Sequence, residues 1–116
     1  MRVERELMRG AGPVAVLQLL ASRPMYGYEL AEAVARGTEG VLEMGQSTLY
    51  PLLYNLEGKG LIRGRWMEAD SGRRRKVYGL TKKGERHLVG QRAQWRNVVR
   101  AMASLGVLAP EDGEGA

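Results

Sequence analysis

The sequence predicts a mainly α-helical chain with a small β-hairpin wing and one long C-terminal helix, and three observations predict it. In the run from Gln46 to Ile62, Leu49, Leu52, Leu53 and Leu56 fall at i, i+3, i+4 and i+7, which draws one apolar stripe along a helix. Some fifteen residues later Gly72-Arg73-Arg74-Arg75-Lys76 places four consecutive cations at the turn between two strand-like segments. Further on, Leu88, Trp95 and Met102 recur every seven residues, with Val98 and Leu105 beside them, a seam for helix-to-helix packing. A polar-faced helix followed by a cationic hairpin predicts a winged helix-turn-helix over 1–80. A dimerisation helix over 81–105 and a disordered acidic tail over 106–116 complete the expected domains.

Each element has a local reason. Residues 1–9 predict a short helix, with Val3 and Leu7 at i, i+4, separated by Gly10 and Gly12 from a helix that Pro13 starts. Val14, Val16, Leu17, Leu19 and Leu20 make that second helix apolar nearly all round, so it is expected at the centre of the fold. Arg23-Pro24 ends it. Tyr28 to Arg36 predicts the next helix, with Leu30, Ala33 and Val34 inward and Gly37 as its stop. Ser47 or Thr48 is the expected N-cap of the leucine-striped helix, which leaves Pro51 in or just beyond the first turn, where its missing N–H costs little. Leu61 to Met67 and Arg74 to Leu80 read as strands joined at Asp70-Ser71-Gly72, with Trp66 covering the sheet. Thr81 is the expected cap of the last helix.

Charge is distributed unevenly. Residues 1–58 carry a net −2, residues 59–100 a net +10 and the tail −3, for an overall +5. The positive charge coincides with the wing and the helix after it, which points to a polyanionic partner. Cysteine is absent, which excludes disulfides and thiolate metal sites. His87 is the single histidine, with no ligand at metal spacing, and neither a nucleophile–base pair nor a phosphate-binding glycine loop is present. No metal, cofactor or enzymatic activity is therefore expected. The N-terminus lacks a secretory pattern and no apolar run is long enough to span a membrane, so a cytoplasmic location is expected.

Opposite the leucine stripe the helix presents uncharged hydrogen-bonding groups, as major-groove reading requires. Gln46, Ser47, Tyr50, Tyr54 and Asn55 are the candidate base or phosphate contacts, Tyr54 near the centre of the face and Tyr50 at its edge, where packing and contact are equally open. Arg73, Arg74, Arg75 and Lys76 are the candidate wing contacts. On a strand they alternate, so at most half face DNA from one surface. On the last helix Leu88, Trp95, Val98, Val99, Met102 and Leu105 are the candidate dimer interface.

The segments LLASRPMYGYEL at 19–30, STLYPLLYNLEGKGLI at 47–62 and GRRRKVYGLTKKG at 72–84, in this order and spacing, resemble the PadR family of bacterial transcriptional regulators. The resemblance implies a winged-helix homodimer that binds double-stranded operator DNA, usually as a repressor, and is released by a ligand or stress signal. The single long C-terminal helix resembles the short subfamily. Some members of that subfamily take flat aromatic compounds between their C-terminal helices with tryptophan stacking, and Trp95 lies at the matching place. The resemblance thus implies a small aromatic inducer near Trp95 and Leu88, with Arg92 or Arg96 meeting an anionic substituent. Trp95 fits a dimer core and a ligand platform alike. Two other readings stand beside the repressor: a winged-helix protein-interaction adaptor, and a small-molecule-binding protein without operator binding.

Overall fold

The computed structural model describes residues 1–108. Its elements run α1 (Arg5–Ser22), β1 (Met25–Tyr26), α2 (Gly27–Gly37), α3 (Gln46–Gly58), β2 (Ile62–Glu68), β3 (Arg74–Leu80) and α4 (Lys82–Leu105). The strands form one antiparallel sheet in the order β1-β3-β2. Helices α1 to α3 pack around a core in which Val16, Leu17, Leu30, Leu49, Leu53, Ile62 and Leu88 are almost wholly removed from solvent. This is a winged helix-turn-helix with a long helix appended. The expected acidic tail lies outside the described residues from 109 onward; 106–108 form the turn that closes α4, with Gly106 left-handed at φ 94°.

The leucine stripe is inward as its spacing requires: Leu49, Leu53 and Leu56 are buried and Leu52 half-buried. The expected break between two N-terminal helices is absent, because α1 runs without interruption through Gly10, Gly12 and Pro13. Tertiary packing overrides the local preference. Gly12 is buried, and a Cβ there would stand 3.0 Å from Leu52 Cδ1, so the glycine makes room for the α3 side chain against α1. Met8, one turn earlier, is buried in the same core and anchors the first half of the helix. Pro13 forfeits only the bond to the exposed Arg9 carbonyl, which water can satisfy.

The cap of helix α3 lies two residues ahead of Ser47, the earlier of the two expected caps. Gly45 is its cap, and the Gly45 carbonyl accepts from Thr48 N–H (3.1 Å) and Leu49 N–H (2.9 Å), so Ser47 and Thr48 are in the first turn and not at the cap. The strand β1 went unforeseen: two residues carry no periodic signal, and its existence depends on pairing of Met25 with Tyr78 and Tyr26 with Val77. Strand β2 is shifted one residue from the expected Leu61 start, because Leu61 is spent on a backbone junction.

At that junction the Leu61 N–H donates to the Leu56 carbonyl at 3.0 Å, and its own carbonyl accepts from the Thr81 N–H at 3.1 Å. The Thr81 hydroxyl donates to the Gly60 carbonyl (2.7 Å) and accepts from the Gly84 N–H (2.9 Å), so the predicted cap of α4 is also a tie to the end of α3. Gly84 lies against Leu61 so closely that a Cβ would overlap the Leu61 carbonyl oxygen. Replacing Gly84 with alanine should therefore cost about 2 kcal/mol or more, since the obstacle is backbone. At the other glycine within α4, Gly90, an added Cβ meets nothing within 4 Å, and Gly90→Ala should stabilise by roughly 0.5–1 kcal/mol. Paired thermal melts check both; equal melting temperatures for the two variants would contradict the close approach.

Candidate nucleic-acid interface

Burying the leucines turns the opposite side of α3 to solvent. Gln46, Ser47, Thr48, Pro51, Tyr54 and Asn55 are all exposed, Tyr54 at 82%. Tyr50 divides its surface between two roles. Its ring packs where a Cβ on Gly27 would stand, 3.0 Å from Cζ, and the residue remains 44% exposed. The absent side chain at Gly27 thus lets α3 and the start of α2 come together with a phenol between them.

The wing flanks this face. Strand alternation sends Arg74 and Lys76 to one side with the buried Tyr78, and Arg75 to the other with Val77. Each cation leans on an aromatic ring: Arg74 over Trp66 at 5.4 Å, Arg75 over Tyr26 at 4.5 Å and Lys76 over Tyr78 at 5.5 Å. Such stacking narrows the rotamers of long side chains while leaving the guanidinium edges free to donate. Trp66, expected to cover the sheet, is 60% exposed and instead forms part of this cationic surface. A groove of about 670 Å³ lies between wing and helices, lined by Tyr26, Tyr28, Tyr50, Trp66 and the arginines.

Among the described residues, Arg73, Arg74 and Arg75 are in no ion pair, whereas Lys76 is. The Lys76 Nζ donates to Glu57 Oε1 at 3.2 Å, and Glu57 Oε2 accepts from the Gly64 N–H at 3.0 Å. Lys76 is therefore engaged with the protein's own carboxylate, unlike the other three cations of the run. Sequence reasoning passed over Glu57, Gly64, Tyr26 and Gly27. Two signals were available: Glu57 is the single charge on an otherwise neutral helix, and a glycine inside a strand marks close approach.

On α4, Leu88 is buried in the protomer's own core at 2% exposure and so leaves both the expected interface and the expected pocket. The first turns of the helix are spent on intramolecular packing, and the exposed apolar residues of the expected seam lie beyond them. Trp95, Val98, Val99, Met102 and Leu105 are exposed. Trp95, Arg92 and Arg96 do come together, along a groove of about 680 Å³ between α1 and α4 whose other wall is Ala11, Val14 and Ala15. Arg92 Nε donates to Gln18 Oε1 at 2.8 Å across one end of it. Among the described residues no cluster of three or more potential metal ligands is present, and no helix is long and apolar enough to cross a membrane.

The family described as transcriptional regulator PadR-like matches residues 16–89. A PadR family transcriptional regulator from Eggerthella lenta is 33% identical over 90% of this chain and 88% of its own, with a TM-score of 0.77. A PadR-like transcriptional regulator from Bacillus cereus is 26% identical over 91% of this chain and 99% of its own, also with a TM-score of 0.77. A transcriptional regulator from Clostridium thermocellum shares the fold, with a TM-score of 0.80 at 24% identity, over 88% of this chain and 96% of its own.

The Glu57 carboxylate has a consequence for stability. The Gly64 N–H, and after it Lys76, hold its pKa below the ordinary 4.5 against a partial desolvation that acts the other way. A depressed folded pKa means that the contribution is complete above pH 4.5 and is lost as pH falls through the folded value. Melting temperature should fall more steeply on acidification for the wild type than for Glu57→Gln. Identical acid profiles for the two would show that Glu57 is not held in this state.

Proposed function

This chain belongs to the PadR-like family of transcriptional regulators, and from that premise we propose that it is a cytoplasmic, homodimeric, ligand-responsive repressor. The observation that carries the DNA-binding part is the adjacency of an uncharged polar helix face to three arginines free of ion pairs among the described residues. Helix α3 reads base edges in a major groove through Tyr54, Asn55, Gln46 and Ser47. Arg73, in the turn, and Arg74, at the start of β3, hold phosphates or enter the neighbouring minor groove. A two-fold dimer reads a pseudo-palindromic operator with half-sites roughly 34 Å apart.

The distal half of α4 supports the dimer. Val98, Met102 and Leu105 form one exposed apolar strip, which a second copy would bury. Around the same helix, Arg92, Arg96, Val99, Arg100 and Ala103 line the groove against α1, with Trp95 on the boundary between strip and groove. The two surfaces are offset around the helix, so one helix serves a partner and a ligand together. An indole at the edge of an apolar slot favours a flat aromatic ring. Three arginines and no carboxylate among the lining residues favour an anionic substituent on it. Such a ligand shifts DNA affinity by its preference for one spacing of the two reading helices.

Binding to the fragment upstream of its own gene, measured against random DNA and as a function of salt, tests this reading. Tyr54→Ala and Asn55→Ala should each cost the operator roughly 1–3 kcal/mol and leave random DNA almost unaffected. Arg73→Ala with Arg74→Ala should weaken both DNAs and reduce the salt slope by about 2. An unchanged operator preference in the first pair, or an unchanged slope in the second, would remove the corresponding surface from the interface. For the ligand, Trp66→Phe leaves Trp95 as the reporting indole. Planar aromatic acids that release the DNA should quench it, and release without quenching would place the inducer elsewhere.

A further inference from the structure

The last of the four wing cations differs from the other three. Lys76 is half-buried, its ammonium lies against a carboxylate of α3, and its stem crosses the position that a side chain on Gly64 would occupy. Glu57, its partner, stands at the C-terminal end of α3 and spends one oxygen on each strand of the hairpin: Oε2 accepts from Gly64 of β2 and Oε1 from Lys76 of β3. Among the described residues these are the only hydrogen bonds that a side chain makes between α3 and the two strands.

We infer that Glu57 and Lys76 are positioning residues that fix the angle of the wing to the reading helix, and that Lys76 does not itself contact DNA. The inference rests on the reading of α3 and the wing as the DNA interface. Its physical basis is leverage. From Gly64 to the tip at Asp70 the hairpin extends roughly 20 Å, so a rotation of about 10° at its base displaces the tip by roughly 3 Å. Hydrogen bonds to phosphate tolerate only a few tenths of an ångström. The clamp sits at the pivot, where a small constraint has its largest effect on Arg73 and Arg74. Gly64 belongs to the same device, since the lane it leaves open is the one through which Lys76 reaches back.

The sign of one substitution separates positioning from simple electrostatics. Glu57→Gln deletes a negative charge near the DNA, which by itself strengthens binding. If the clamp positions the wing, the same substitution weakens binding instead. The experiment titrates wild type, Lys76→Met, Glu57→Gln and the double variant with the fragment upstream of its own gene, across a range of salt, after circular dichroism and thermal melts confirm folding. Each single variant should bind about tenfold more weakly, the scale of one charge-assisted hydrogen bond. The double variant should be no weaker than either single, and the slope against log salt should stay that of the wild type. Lys76→Arg, which can keep the ion pair, should recover most of the affinity and remains informative if Lys76→Met fails to fold. A slope reduced by about 1 in Lys76→Met would make Lys76 a phosphate contact and overturn the inference. Tighter binding by Glu57→Gln would overturn it as well. Absence of salt-dependent binding by the wild type would instead overturn the DNA-binding reading, and this inference with it.

Discussion

Helix α3, the hairpin and helix α4 all hang from one crossing of the backbone. Leu61, between α3 and β2, gives its carbonyl to Thr81, between β3 and α4, and Gly84 closes onto the same residue. Reading helix, wing and C-terminal helix all leave from this point. The crossing is rigid because it is made of backbone bonds in a buried setting, where an unpaired group is costly. It fixes the first turn of α4 against the last turn of α3. On the proposed reading, a displacement of α4 reaches α3 through this crossing.

The same crossing explains why α4 divides into two parts. Gly84 and Leu88 are buried by the protomer itself, while the exposed apolar residues begin beyond them. The near half anchors, and the far half stands out with Val98, Met102 and Leu105 uncovered. A chain of this size has a limited core, and leaving such a strip in water forgoes stabilisation that a second copy restores. On the proposed reading, assembly and folding stability are linked through this strip.

Much of this architecture was legible in the residues. The leucine stripe, the hairpin strands and the capped last helix each have a strong local period or a specific terminal residue, and these emerged within a residue or so of expectation. What could not be read was set by contacts remote in sequence. Gly12 and Pro13 look like breakers until Leu52 is placed against them. Strand β1 has only two residues and exists because β3 offers it an edge. In the candidate site the exposed face of α3 followed from its own stripe. The commitment of Lys76, by contrast, depended on Glu57, nineteen residues away. The heptad pattern marked Leu88 correctly as apolar but could not tell a partner's surface from the protomer's own core.

Helix α3 carries no cation on its outer face, and that neutrality divides the labour of recognition. On the proposed reading, the wing supplies attraction to any polyphosphate and the helix supplies preference among sequences. Attraction of the first kind governs how the protein scans DNA, and it is indifferent to which bases pass beneath it. Drift at Tyr54 or Asn55 can then redirect the protein to a different set of genes while its rate of search stays the same. A regulator built in this way acquires new targets by changing a few neutral side chains, without relearning how to find DNA.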